Sequence, residues 1–188
     1  MAQPGTPRRE RRRLTHFDRS GRPRMVDVSE KPATPRRAVA EALLALEQET
    51  ISLIVDGGLT KGDVLTVAEL AGVLGGKRTS ELIPLAHPIP LTDLKVEITP
   101  DRTAGGLRIR ATAATVGPTG VEMEALVAVS IAALAAYDMI KSVDRGASVR
   151  DVRLIEKSGG KSGEWRRPAE AEAARPPASR PRRSAGRV

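Results

Sequence analysis

The sequence predicts an α+β fold, with helices packed on one face of a largely antiparallel sheet, and three observations lead there. Residues 94–99 and 107–115 alternate apolar and polar side chains, and Gly105-Gly106 between them marks the turn of an antiparallel pair. Residues 121–143 carry Met123, Leu126, Val127, Ile131, Leu134 and Ile140 with alanines between them, a helix apolar almost all round. Residues 148–156 return to strand patterning, so strands and helices interleave along one chain.

From the N-terminus, the run PRMVDV at 23–28 alternates well enough for a short strand. Thr34-Pro35 then reads as a helix opening, with Thr as N-cap and Pro at the first helical position. Val39, Leu43, Leu46, Thr50, Leu53 and Ile54 follow at spacings of three and four, and Gly57-Gly58 stops the helix. Asp63 caps a second helix running through Val67, Leu70 and Leu74 to Gly75-Gly76. Residues 77–90 start polar and end as a loop with three prolines. In the second hairpin strand Leu107, Ile109, Ala111 and Ala113 face one way, Arg108 and Arg110 the other. The long helix requires burial on more than one side, and in a domain this small a partner subunit is the expected cover. The order strand, two helices, two strands, long helix, strand suits a ferredoxin-like, split βαβ arrangement.

A chain of 188 residues fits one domain. Its net charge of +8 suggests a polyanion partner until the charge is located. Residues 1–13 hold five Arg and one Glu, and residues 166–188 hold seven Arg and two Glu, which leaves residues 14–165 at −1. Both ends are Arg-, Pro- and Ala-rich without apolar periodicity, so they are expected to be disordered tails around a catalytic domain at 14–165. With one Phe, one Tyr and one Trp, the chain offers no platform for stacking bases. The absence of cysteine excludes disulfides and thiolate chemistry and fits a reducing compartment. The N-terminus lacks an apolar signal region, and the longest apolar stretch, 125–137, falls short of the ~20 residues that span a bilayer. A cytoplasmic location is therefore expected.

Residues able to do chemistry are few. His87 precedes Pro88, which holds it extended on a loop, where an imidazole can act as acid, base or hydrogen-bond donor. His16, beside the basic N-terminus, is assigned no role. Lys61 sits in TKGD just before a helix N-terminus, a place that favours anions. Glu122, Glu124, Asp138 and Lys141 lie on the long helix, acidic early and basic late, as its dipole alone would favour. Asp138 and Lys141 are three apart and can pair. Asp138 also follows a long apolar run, which implies a poorly hydrated carboxylate compensated by Lys141 or a ligand. Glu124 and Asp138 are fourteen residues apart, about 21 Å along a helix, so one pocket using both needs two subunits. The loop KSGGKSG at 157–163 is not a nucleotide P-loop, because Ile155 stands where its first Gly belongs. It remains a flexible loop whose Lys157 and Lys161 suit phosphate. Together these residues form no recognisable metal cluster and no activated nucleophile. They suit proton transfer on a phosphorylated substrate.

The strings MVDVSEK (25–31), KGD (61–63), KRTSELIPLAHP (77–88), GVEMEAL (120–126), YDMIK (137–141) and KSGGKSG (157–163) resemble those of the cyclic pyranopterin monophosphate synthase family of molybdenum cofactor biosynthesis. The resemblance runs from about Leu14 to Trp165. It implies a ferredoxin-like subunit in a hexamer, a trimer of dimers, with active sites at dimer interfaces. It also implies a lyase that rearranges 3′,8-cyclised 7,8-dihydro-GTP to cyclic pyranopterin monophosphate and releases diphosphate, with no cofactor or metal. Carried over residue by residue, Asp138 would be the acid–base, Lys141 its neighbour, and Lys61 a proton-transfer or phosphate group. Leu85, Ala86, His87, Met123 and Glu124 would line the substrate pocket. Glu122 and Arg36 would assist, and Lys157 and Lys161 would hold phosphate. One departure stands out: the family usually has Cys where this chain has Ala86. Two rivals follow, a pterin-phosphate binder without turnover, suggested by Ala86, and an RNA or polyanion binder acting through the basic tails.

Overall fold

Residues 34–45 form a strand, not a helix. A computed structural model of the chain describes residues 16–18, 20–56 and 63–168. Within it β1 (Thr34–Ala45) is followed by α1 (Gln48–Val55), α2 (Val64–Lys77), α3 (Thr79–Leu82), β2 (Asp93–Asp101), β3 (Gly106–Gly117), α4 (Glu122–Ile140), β4 (Ser148–Ser158) and the short β5 (Trp165–Arg166). Lys61 and nearly all of both basic ends lie outside the described residues.

The reason for the strand is tertiary. β1 lies at the centre of the sheet, antiparallel to β3 from Thr34↔Gly117 to Ala45↔Gly106 and to β4 on its other edge. Ala38, Ala40, Ala42 and Leu44 recur at period two and are buried in the core on which α4 packs. Alanine's helix preference is worth under about 1 kcal/mol per residue, less than pairing on two edges and burial supply. The later residues of the expected helix, Thr50, Leu53 and Ile54, do become helical, in α1. The expected strand at 23–28 is also absent: Pro23 makes an isolated bridge to Phe17, and residues 24–28 run on without a ladder.

Sheet order is β2-β3-β1-β4-β5, antiparallel throughout. With helices on one face, this is the expected α+β, ferredoxin-like fold. Asp63 caps α2 as expected, its Oδ1 accepting from the amides of Leu65 and Thr66, both at 3.0 Å. Gly75-Gly76, expected to stop α2, instead lies inside it. A Cβ on Gly75 would stand 2.6 Å from Ile131 Cγ1, and one on Gly76 would stand 3.1 Å from the Glu124 carbonyl. The pair lets α2 approach α4 closely rather than breaking the helix. Consequently α4 is covered by the sheet on one side and by the chain's own α2 on another. By length and composition α4 could cross a membrane, but half of it is buried within the fold, as in a core helix. The opposite sheet face holds Glu41, whose carboxylate takes ion pairs from Arg108, Arg110 and Arg153.

Candidate active site

Three stretches far apart in sequence meet around a cavity of about 500 Å3. The loop after α3 contributes residues 83–87 and Ile89, including the expected Leu85, Ala86 and His87. The approach to α4 and its first turn contribute Thr119, Gly120, Glu122, Met123 and Glu124. The third contribution, His16, went unassigned in the sequence. Its signal was meagre: it is one of only two histidines in the chain.

Glu124 dominates the chemistry. It is only 4% exposed, and its Oε2 has no hydrogen-bond partner. Burial pushes its carboxyl up to about 7, and the nearby Glu122 carboxylate adds to the rise. A helix-dipole role would leave this carboxylate solvated, so that reading fails for Glu124. The same side chain lines a second cavity of about 250 Å3, together with Lys77, Thr79 and Ser80. Glu124 thus stands between two hollows, one largely apolar and one with a cation.

His87 is oriented from the N-terminal side. Its Nε2 lies 2.8 Å from the carbonyl oxygen of Val26. A carbonyl only accepts, so Nε2 is the donor in this contact and Nδ1 is the ring nitrogen left for a ligand. Ala86 donates its amide to Ile83 O at 3.0 Å, which shapes the turn that brings His87 to the cavity.

Arg36 does not line this cavity. Its guanidinium donates to Gly117 O and Pro118 O, both at 3.2 Å, just before Thr119 and Gly120. It also packs under the turn at Gly159-Gly160, where a Cβ on Gly160 would stand 1.8 Å from Nη1. Gly160 has φ +68°, so glycine there serves both the turn and the close approach. Lys157 hydrogen-bonds Ser162 and lines a separate hollow of about 300 Å3 with Arg37, Glu156, Trp165 and Arg166. Lys161 is exposed on the same turn. At the start of the expected C-terminal tail, Arg166 pairs with Glu156 at 2.9 Å, and Arg167 Nε donates to Leu154 O at 2.8 Å.

Asp138 and Lys141 pair as expected, Nζ to Oδ1 at 2.6 Å, but at the far end of α4. Their side chains are 72% and 53% exposed, which corrects the expectation of a poorly hydrated carboxylate. Asp138 lies one turn beyond Leu134, itself exposed, so both belong to the outward stripe of α4. The carboxylate raises the Lys141 ammonium above its ordinary range, first by hydrogen bonding and then by charge. Because α4 is one uninterrupted helix, Asp138 and Glu124 of one chain stand about 21 Å apart.

Comparison with known proteins places the chain. The model of the MoaC family matches residues 25–160. A protein of Cereibacter sphaeroides named cyclic pyranopterin monophosphate synthase is 54% identical over 152 residues, covering 81% of this chain and 96% of the relative. Proteins of the same name from Brucella ovis and Thermomicrobium roseum are each 54% identical, over 153 and 154 residues, covering 93% of each relative. The chain belongs to the MoaC family.

Proposed function

We propose that the chain is a lyase that converts 3′,8-cyclised 7,8-dihydro-GTP to cyclic pyranopterin monophosphate with release of diphosphate, in molybdenum cofactor biosynthesis. The observation that carries this is the buried Glu124, its Oε2 without a hydrogen-bond partner, lining a cavity it shares with His87. The reaction opens the purine five-membered ring, closes a pterin ring and turns a phosphate into a cyclic diester. Each change moves protons between ring atoms and oxygens, so acids and bases with displaced affinities are what it requires. Glu124, whose proton affinity burial raises, can donate; His87, with Nε2 held by Val26, has Nδ1 left to take a proton. The apolar wall of Leu85, Ala86 and Met123 suits the face of a heterocycle.

The remaining groups complete the reading. Asp138 acts as acid–base with its carboxylate held by Lys141, and Lys61 transfers a proton or binds phosphate. Arg36, Lys157 and Lys161 hold phosphate, and the Glu122 carboxylate raises the proton affinity of Glu124. The 21 Å between Glu124 and Asp138 supports sites built from two copies, each giving one end of α4. The exposed row of Val67, Leu70, Leu74 and Leu134 on the helix layer supports burial against further copies. The assembly is a hexamer, a trimer of dimers, working in the cytoplasm, with the catalytic domain at 14–165 between basic arms. Ala86 contributes a methyl group and a turn amide, so its lack of a thiol is compatible with turnover.

The test is direct. Purified protein incubated with enzymatically prepared cyclised dihydro-GTP is expected to release diphosphate and form the cyclic-phosphate pterin in equal amounts. Binding without either product, by folded wild type, would instead support the pterin-phosphate binder that Ala86 suggests.

A further inference from the structure

The chain has two histidines, and both line the same cavity. One is fixed by the other's segment. Residues 16–18 and 20–29 form a strap held by local hydrogen bonds, and its His16 lines the cavity. Arg24 donates its amide to His16 O at 2.9 Å, and the Asp18 amide donates to Arg22 O at 3.0 Å. Asp18 Oδ1 accepts from the amides of Ser20 and Arg22 at 2.8 and 2.9 Å. Gly21 turns the chain with φ +81°, a conformation other residues rarely adopt. Further along, the Val26 carbonyl takes the His87 Nε2 proton. The strap therefore has a closed turn that carries His16 and a clip on His87.

The cavity's donors are scarce. Glu122 and Glu124 offer carboxyl groups, Thr119 a hydroxyl, and the His87 Nε2 donor is committed to Val26. Among the described side chains lining the cavity, the nitrogen donor remaining is the imidazole of His16. A GTP-derived molecule presents carbonyl and phosphate oxygens, each of which loses hydration on binding and needs a donor in exchange.

We propose that His16 is a second imidazole of the substrate site, which hydrogen-bonds an acceptor oxygen of the bound molecule, a ring carbonyl or a phosphate. This rests on the reading that the cavity takes a GTP-derived substrate. His16 contacts substrate directly. The strap that carries it acts on the chemistry only through the position of His87.

Wild type, His16→Ala and His16→Gln are compared in KM and kcat with cyclised dihydro-GTP, and by calorimetric titration with GTP and with guanosine. His16→Ala is expected to raise KM and the GTP dissociation constant about tenfold, with an unchanged melting temperature. His16→Gln keeps a nitrogen donor and is expected to recover most of the loss, which a merely structural role would not produce. Weaker binding of both GTP and guanosine identifies a ring carbonyl; weaker binding of GTP alone identifies a phosphate. Unchanged KM and GTP affinity in His16→Ala, beside an active wild type, overturns the inference and leaves the functional reading intact. A wild type that neither turns over substrate nor binds GTP removes the functional reading and this inference with it.

Discussion

Replacing Asp138 by Ala is expected to reduce turnover by about 10²–10⁴-fold, the range that a positioned acid–base contributes. The melting temperature is expected to stay where it is. Asp138 is largely exposed, and its pair with Lys141 is a surface ion pair of three-residue spacing on a helix. Such pairs contribute under about 1 kcal/mol, because water and salt screen them. Large catalytic loss without loss of stability is the signature of a residue whose work is done against a ligand. Asp138→Asn, which keeps the shape and cannot take a proton, is expected to fall as far in kcat as Asp138→Ala. A kcat within a fewfold of wild type in either variant removes Asp138 from the chemistry.

Glu124→Gln, by contrast, is expected to change stability. The Glu124 carboxyl is raised from 4.5 to about 7, chiefly by burial. Below pH 4.5 it is protonated both folded and unfolded, and stability is unaffected. Between 4.5 and 7 the unfolded chain releases the proton while the folded chain keeps it, so stability falls as pH rises. Above about 7 the folded state bears a buried charge and the loss is complete, at most roughly 3 kcal/mol. Glutamine keeps the shape and escapes this loss. Urea unfolding at matched protein concentration is expected to show equal stabilities near pH 4.5. At pH 8 the variant is expected to be more stable, while its turnover is lost because the amide cannot donate or accept a proton. Equal stabilities at both pH values would contradict the burial argument.

Much of the fold was legible because its signals are local. The Asp63 cap, the alternation at 107–115 and the turn at Gly105-Gly106 each depend on a few neighbouring residues. Residues 34–45 carry two patterns at once, Val39, Leu43 and then Leu46 at helical spacing and Ala38, Ala40, Ala42 and Leu44 at period two, and only the flanking β3 and β4 decide between them. Gly75-Gly76 is ambiguous in the same way: a glycine that ends a helix and one that admits a neighbouring helix look alike until Ile131 is in place. In the site, the motif residues around His87 and Glu124 line one cavity. The burial of Glu124 and the exposure of Asp138 do not follow from their positions on α4. They depend on the loop that covers its first turn and on the absence, among the described residues, of cover over the Leu134–Asp138 stripe. His16 was invisible because it reaches the cavity through the fold of its segment, not through a pattern.

The most direct test of a site shared between subunits mixes two defective chains. Asp138→Ala and Glu124→Gln are co-expressed at equal levels and the purified mixture is assayed with cyclised dihydro-GTP. If each site takes Glu124 from one copy and Asp138 from another, random pairing places one intact site in each mixed dimer. Turnover then returns to about a quarter of wild type, although neither variant alone is active. A mixture as inactive as its components would contradict the shared site and return both residues to separate roles within one chain.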